Sequence, residues 1–220
     1  KQSGAPGIRR LAADLKQVLE ALDVREALLV GHSMGGMVAL QLAHDEPGLM
    51  EERVSAIVLA STLAGPFVHL PGWANFSKVA APASARAVLI AENVGVRALP
   101  SQDLRYWISR LGFGADARAS EVRFVEALHL ATGSRTVAGL LPSLAAFDLS
   151  AGLRSLEFPA LVVVGSHDHL TPPRQARRMA DALPRAELVE LARCGHMPMI
   201  ERPHEFSHLL EEFSAKTGRF

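Results

Sequence analysis

Apolar residues recur along the chain in two rhythms, and the rhythms alternate. Over 8–24, "IRRLAADLKQVLEALDV", Leu11, Leu15, Val18, Leu19 and Leu22 share one helical face with charges opposite, which predicts an amphipathic helix. Next, "EALLVGH" (26–32) is a short unbroken apolar run, the pattern of a buried strand. Residues 35–48, "GGMVALQLAHDEPG", predict a helix ended by Pro47 and Gly48. A second strand is expected over 53–62, "RVSAIVLAST", and a third inside 158–168, "FPALVVVGSHD". Residues 171–184 predict a helix with Thr171 as its N-cap and Pro172 at its first position, burying Ala176, Met179, Ala180 and Leu183. "AELVELA" (186–192) is expected to be a fourth strand, and 203–215 a closing helix with Phe206, Leu209, Leu210 and Phe213 inward. Continuous apolar strands alternating with helices predict an α/β fold: a mostly parallel sheet covered by helices on both faces.

One segment breaks the alternation. Residues 66–148 separate the second strand from the third, far more chain than a crossover needs. Helix-like patches occur in it, such as "ASARAVLIAENVG" and "SEVRFVEALHLATG", and so do eight of the chain's twelve aromatic residues. The expected organisation is a core made of 1–65 and 149–220, with 66–148 as a mostly helical insertion over one end of the sheet. Its aromatics either pack the insertion's own small core or line an apolar pocket. Trp73, Phe76, Tyr106 and Trp107 are the pocket candidates.

Composition narrows the class. A chain of 220 residues with 49% hydrophobic and 21% charged residues suits one globular domain with an inserted subdomain. Lys plus Arg (23) equals Asp plus Glu (23), and no basic face or run stands out, so nucleic acid and anionic membranes are poor partners. No apolar run reaches the roughly 18–20 residues a membrane span needs, and the first residues carry no signal-peptide pattern. The lone cysteine, Cys194, excludes an intrachain disulfide and fits a reducing compartment, so the cytoplasm is the expected location. Nothing specifies an oligomeric state.

The candidate chemistry starts at Gly31-His32-Ser33-Met34-Gly35, a G-x-S-x-G pattern between a predicted strand and a predicted helix. Glycine on either side of Ser33 is expected to remove side chains that would collide with the neighbouring strand and helix. Such a turn lifts the serine hydroxyl off the sheet edge. It also sets the Met34 amide at a helix N-terminus, where negative charge is favoured. Glycine-rich turns of this kind also serve close packing alone, but the strand and helix on either side favour the nucleophile. A serine hydroxyl needs a general base, and the base needs an orienting acid. Asp168 follows the third strand and His196 the fourth, and loops after the carboxyl ends of parallel strands gather at one edge. The order Ser, Asp, His is the one expected of an α/β-hydrolase.

Rivals to these residues are weaker. His32 lies inside the turn and suits packing and hydrogen bonding. His167 and His169 flank Asp168, but alternating side chains on an extended segment point away from it and no second ligand cluster accompanies them, so no metal site is expected. His204 and His208 suit a solvated helix face. Asp148 competes as the acid but lacks a strand immediately before it. Cys194 is expected to be a small buried residue.

Three motifs, "GHSMGG" (31–36), "VVVGSHDHLTPP" (162–173) and "CGHMPMIERPHEF" (194–206), together resemble the α/β-hydrolase superfamily, in the branch whose cap follows the sixth strand. The resemblance implies Ser33 as nucleophile, His196 as base, Asp168 as acid and the Met34 N–H as one of two oxyanion donors. No cofactor or metal is implied. A serine nucleophile argues against the haloalkane dehalogenases and epoxide hydrolases of the superfamily. Carboxylesterases, enol-lactonases, carbon–carbon bond hydrolases of ring-cleavage products and cofactor-free haloperoxidases remain. The aromatic insertion favours a small hydrophobic ester; a substrate carboxylate held by Arg105 or Arg110 would favour the lactonase or carbon–carbon hydrolase. A non-catalytic binding protein on the same scaffold is the alternative from another class. The four strands resemble only the fifth to eighth of the family, so the chain is expected to be the C-terminal portion of a longer protein.

Overall fold

The structure, a computed structural model, describes residues 7–65 and 102–218. Its centre is a sheet of four parallel strands, β1 (Ala27–His32), β2 (Val54–Ala60), β3 (Ala160–Gly165) and β4 (Ala186–Leu191), in the order β1-β2-β3-β4. The register runs Leu29 to Ile57, Ile57 to Ala160 and Ala160 to Ala186, so all four strands end near one edge. The expected parallel α/β sheet is the observed one. Around it lie α1 (Ile8–Ala21), α2 (Met34–Asp45), α3 (Pro47–Arg53), α4 (Gln102–Arg110), α5 (Ala119–Thr132), α6 (Ser134–Ala146), α7 (Pro173–Ala182), α8 (Pro198–Glu201) and α9 (Pro203–Thr217).

Both faces of the sheet are apolar because successive strand residues point to opposite sides. Ile57, Leu59, Val162 and Val164 face one way and pack against α1, α2, α3 and α7 through Ala12, Leu19, Met37, Leu40, Met50 and Met179. Ala56, Val58, Ala60, Leu161 and Val163 face the other and meet Phe206 and Phe213 of α9. Strand β4 departs from the continuous apolar pattern. Its Glu187 pairs with Lys216 at 3.0 Å and its Glu190 with Arg177 at 2.5 Å, which suits the strand at the end of the sheet order.

The helix expected to end at Pro47 does so, since α2 stops at Asp45, but Pro47 also opens a further helix, α3, which the pattern did not predict. Proline cannot continue a helix but is favoured at the first position of the next one, where no N–H is needed. In α7 the N-cap is Pro172, not Thr171, and Pro173 is the first helical residue; the Thr171 side chain has a partner elsewhere. The described part of the 66–148 segment is helical, comprising α4, α5 and α6. Its last helix is tied to the core where Ile8 N–H donates to Ser143 Oγ at 2.9 Å.

Candidate active site

Ser33 is the hinge between β1 and α2, with φ 52° and ψ −119°. A non-glycine residue in that region carries strain of about 1–3 kcal/mol, tolerated only where neighbours hold it. Here they are backbone bonds: Ser33 N–H donates to Ala60 O at 2.9 Å, and Ser33 O accepts from Gly36 N–H at 3.0 Å and from Thr62 Oγ1 at 2.6 Å. The glycine requirement holds as expected at Gly31, and on the other side of Ser33 it falls one residue later than expected. A Cβ on Gly31 would lie 2.7 Å from the Gly35 carbonyl and Gly36 backbone, and one on Gly36 would lie 2.6 Å from Thr62, whereas one on Gly35 meets nothing within 4 Å. Close contact with α2 explains Gly31, and contact with the chain after β2 explains Gly36.

Asp168 and His196 meet, although 28 residues separate them: His196 Nδ1 lies 2.9 Å from Asp168 Oδ2. Both side chains are almost wholly buried, at 5% and 0% exposure. Oδ1 of Asp168 accepts the backbone N–H groups of Leu170 at 2.9 Å and Thr171 at 2.8 Å, and Oδ2 accepts the Thr171 hydroxyl at 2.6 Å. Burial by itself pushes the Asp168 carboxyl up, but the bonds from His196 and Thr171 outweigh it and hold the group below the usual carboxylate range. Asp168 is therefore an anion at neutral pH and can only accept, so Nδ1 of His196 carries its hydrogen and Nε2 is left to take a proton.

Thr171 was expected to cap a helix; it binds Asp168 instead. Without its hydroxyl, buried Oδ2 keeps His196 as its remaining partner. Thr171→Val is expected to lower stability by about 1–3 kcal/mol, seen as a lower urea midpoint at unchanged m-value, while Thr171→Ser stays near wild type.

His32 joins the turn to the His196 loop. Its Nε2 donates to the His196 carbonyl at 2.7 Å, and the two rings are 5.0 Å apart. Burial keeps His32 below its ordinary value despite that bond, so its ring is neutral at neutral pH. Cys194 is fully buried, and burial together with the Glu201 carboxylate pushes its thiol up to about 12, which leaves it unreactive.

The other candidates fall elsewhere. Asp148 accepts from Ser150, through N–H at 3.0 Å and Oγ at 2.5 Å, in a local turn. His167, His169, His204 and His208 are exposed. Among the described residues, no group of three His, Cys, Asp or Glu side chains is arranged to hold a metal ion, and no helix is long and apolar enough to cross a membrane. Trp73 and Phe76 lie outside the described residues. Tyr106 packs against a cluster of Phe113, Val122 and Val125, while Trp107 is 63% exposed. Arg105 binds Glu126 at 3.3 Å, and Arg110 donates to the carbonyl of Phe113 at 3.0 Å.

A family model for the alpha/beta hydrolase fold matches residues 6–203, and the chain belongs to that family. It is a hydrolase of the α/β-hydrolase fold. Over 215 residues it is 28% identical to a Pseudomonas savastanoi pv. phaseolicola protein provisionally named carbamate hydrolase RutD, covering 94% of this chain and 74% of that protein. Over 200 residues it is 30% identical to the 2-hydroxymuconate semialdehyde hydrolase of Pseudomonas sp. strain CF600, covering 90% of this chain and 65% of that protein. The solved structure of a hydrolase from Pseudomonas aeruginosa PA01 superposes with a TM-score of 0.76 at 28% identity, covering 96% of this chain and 72% of that one.

Proposed function

We propose that the chain hydrolyses a small hydrophobic carboxylic ester through a Ser33–His196–Asp168 triad and an acyl-enzyme. The observation that carries this is the buried Asp168–His196 bond of 2.9 Å, on a loop whose carbonyl is held by the residue next to the strained Ser33. In the first step Ser33 Oγ bonds to the ester carbonyl carbon while its proton passes to His196 Nε2. Negative charge on the carbonyl oxygen is met by the Met34 N–H, one of the unpaired amides that open α2. The carbon–alkoxide bond then breaks, and Nε2 returns the proton to the departing alcohol. Water, deprotonated by the same nitrogen, attacks the acyl carbon and releases the acid and free Ser33. Asp168 keeps Nδ1 protonated and steadies the imidazolium throughout. Residues 66–148 act as the cap that shields this edge from water, and the stretch 112–114 lying against the His196 loop supports that role.

Similarity to a 2-hydroxymuconate semialdehyde hydrolase favours a second reading, in which the same residues cleave a carbon–carbon bond of a ring-cleavage product. Two measurements separate the readings. A fluorophosphonate should label Ser33 alone, and nitrophenyl esters of graded chain length should turn over faster than a dienoic ring-cleavage product or a simple carbamate. No labelling would end the assignment of Ser33 as nucleophile, and preference for the dienoic compound would replace the ester reading.

A further inference from the structure

Glu201 ends α8 five residues after His196, and its carboxylate is occupied by backbone amides from two separate segments. Oε1 accepts from Gly195 N–H at 3.0 Å and Met197 N–H at 3.2 Å, the amides on either side of His196. Oε2 accepts from Gly114 N–H at 2.7 Å, in the turn after α4 of the insertion. Across the same seam His196 N–H donates to Gly112 O at 2.7 Å. The two backbones are nearly in contact: a Cβ on Gly195 would lie 2.4 Å from Gly114 N, and one on Gly114 would lie 2.6 Å from Arg193 O. Met197 and Ile200 add apolar contact with Phe113, Val122 and Val125. On the outer side Asp116 pairs with Arg193 at 2.5 Å and Arg202 at 3.6 Å.

A carboxylate accepts several hydrogen bonds and donates none, and bonds to a charged acceptor are stronger than neutral ones. One anion therefore gathers amides that would otherwise have no reason to share a location. We propose that Glu201 is a positioning residue: it fixes the backbone on both sides of His196 and fastens it to residues 112–114, so that docking of the insertion and seating of the base are one event. The proposal rests on His196 being the base. Its consequence is kinetic. A displacement of about 1 Å in a catalytic group can cost about 10²-fold, so release of this seam slows the attack by Ser33 even with all three triad side chains present.

The test uses the full chain with Glu201→Ala, Glu201→Gln and Gly114→Ala. Two quantities are read: the rate of fluorophosphonate labelling of Ser33 against pH, and amide hydrogen exchange at 112–114 and 195–197. In wild type the labelling rate should reach a plateau with rising pH. Glu201→Ala should lower that plateau about 10²-fold and leave a hydroxide-driven rise above it. Both segments should exchange faster together, while β2 and β3 keep their protection. Glu201→Gln has one acceptor oxygen in place of two and should fall between. Gly114→Ala keeps the carboxylate but forces the backbones apart, and should give the same joint signature. Glu201 variants that label as fast as wild type, or one segment loosening without the other, would overturn the proposal. A His196→Ala control labelling at the wild-type rate would overturn its premise; a slow control with fast-labelling Glu201 variants would overturn the Glu201 step alone.

Discussion

Ser33→Ala is expected to remove turnover by as much as about 10⁶-fold in kcat, with KM little changed. The size follows from what the substitution deletes. The hydroxyl is the only atom lost, and every bond that holds the turn is made by backbone: Ser33 N–H to Ala60 O, and Ser33 O to Gly36 N–H and Thr62 Oγ1. The strained φ of 52° persists with alanine, so the fold and the Met34 amide should stay where they are. The expected residue of activity, about 10³–10⁴ over water, then comes from binding and the oxyanion donor alone. Steady-state kinetics on a nitrophenyl ester, with circular dichroism to verify folding, provides the check. A folded Ser33→Ala protein retaining near-normal kcat would end the nucleophile assignment.

What could be read from the chain follows from which interactions are local. The strands were visible because burial on both faces makes them unbroken apolar runs, as at "AIVLA" and "ALVVVG". Once they are parallel, Asp168 and His196 must emerge at one edge, and the structure brings their side chains to 2.9 Å. What escaped depends on partners distant in sequence. Thr171-Pro172-Pro173 has the composition of a helix start whether or not the threonine caps it; Asp168 captures its hydroxyl at 2.6 Å, and the helix starts later. The need for glycine at 36 is set by Thr62, which lies beyond a helix and a strand. Glu201 lies inside a recognised motif, but nothing local names its partner Gly114, which arrives from the insertion. In α4 aromatic character marks Tyr106 and Trp107 as pocket candidates but not the side that is covered; the structure packs Tyr106 in a small core and leaves Trp107 exposed.

Asp168→Asn is expected to lower kcat by about 10⁴-fold without unfolding the protein, and the hydrogen bonds around the carboxylate specify why. Oδ1 accepts two backbone amides, from Leu170 at 2.9 Å and Thr171 at 2.8 Å, which no amide NH2 could do. The asparagine oxygen must therefore stay at that position, and its NH2 must take the place of Oδ2. There it faces His196 Nδ1, and an NH2 can only donate. The Thr171 hydroxyl can turn to accept, but the imidazole can satisfy the new donor only by moving its hydrogen to Nε2. In that tautomer Nε2 has no lone pair with which to take a proton from Ser33. The geometry of the site survives while its proton chemistry is inverted, so KM should hold, fluorophosphonate labelling should slow in step with kcat, and rising pH should recover part of the rate as hydroxide replaces the base. A histidine 15N NMR spectrum distinguishes the two tautomers directly: wild type should show Nδ1 protonated at His196, and Asp168→Asn should show Nε2. Full activity in the variant, or an unchanged tautomer, would mean that Asp168 buttresses the loop without orienting the base.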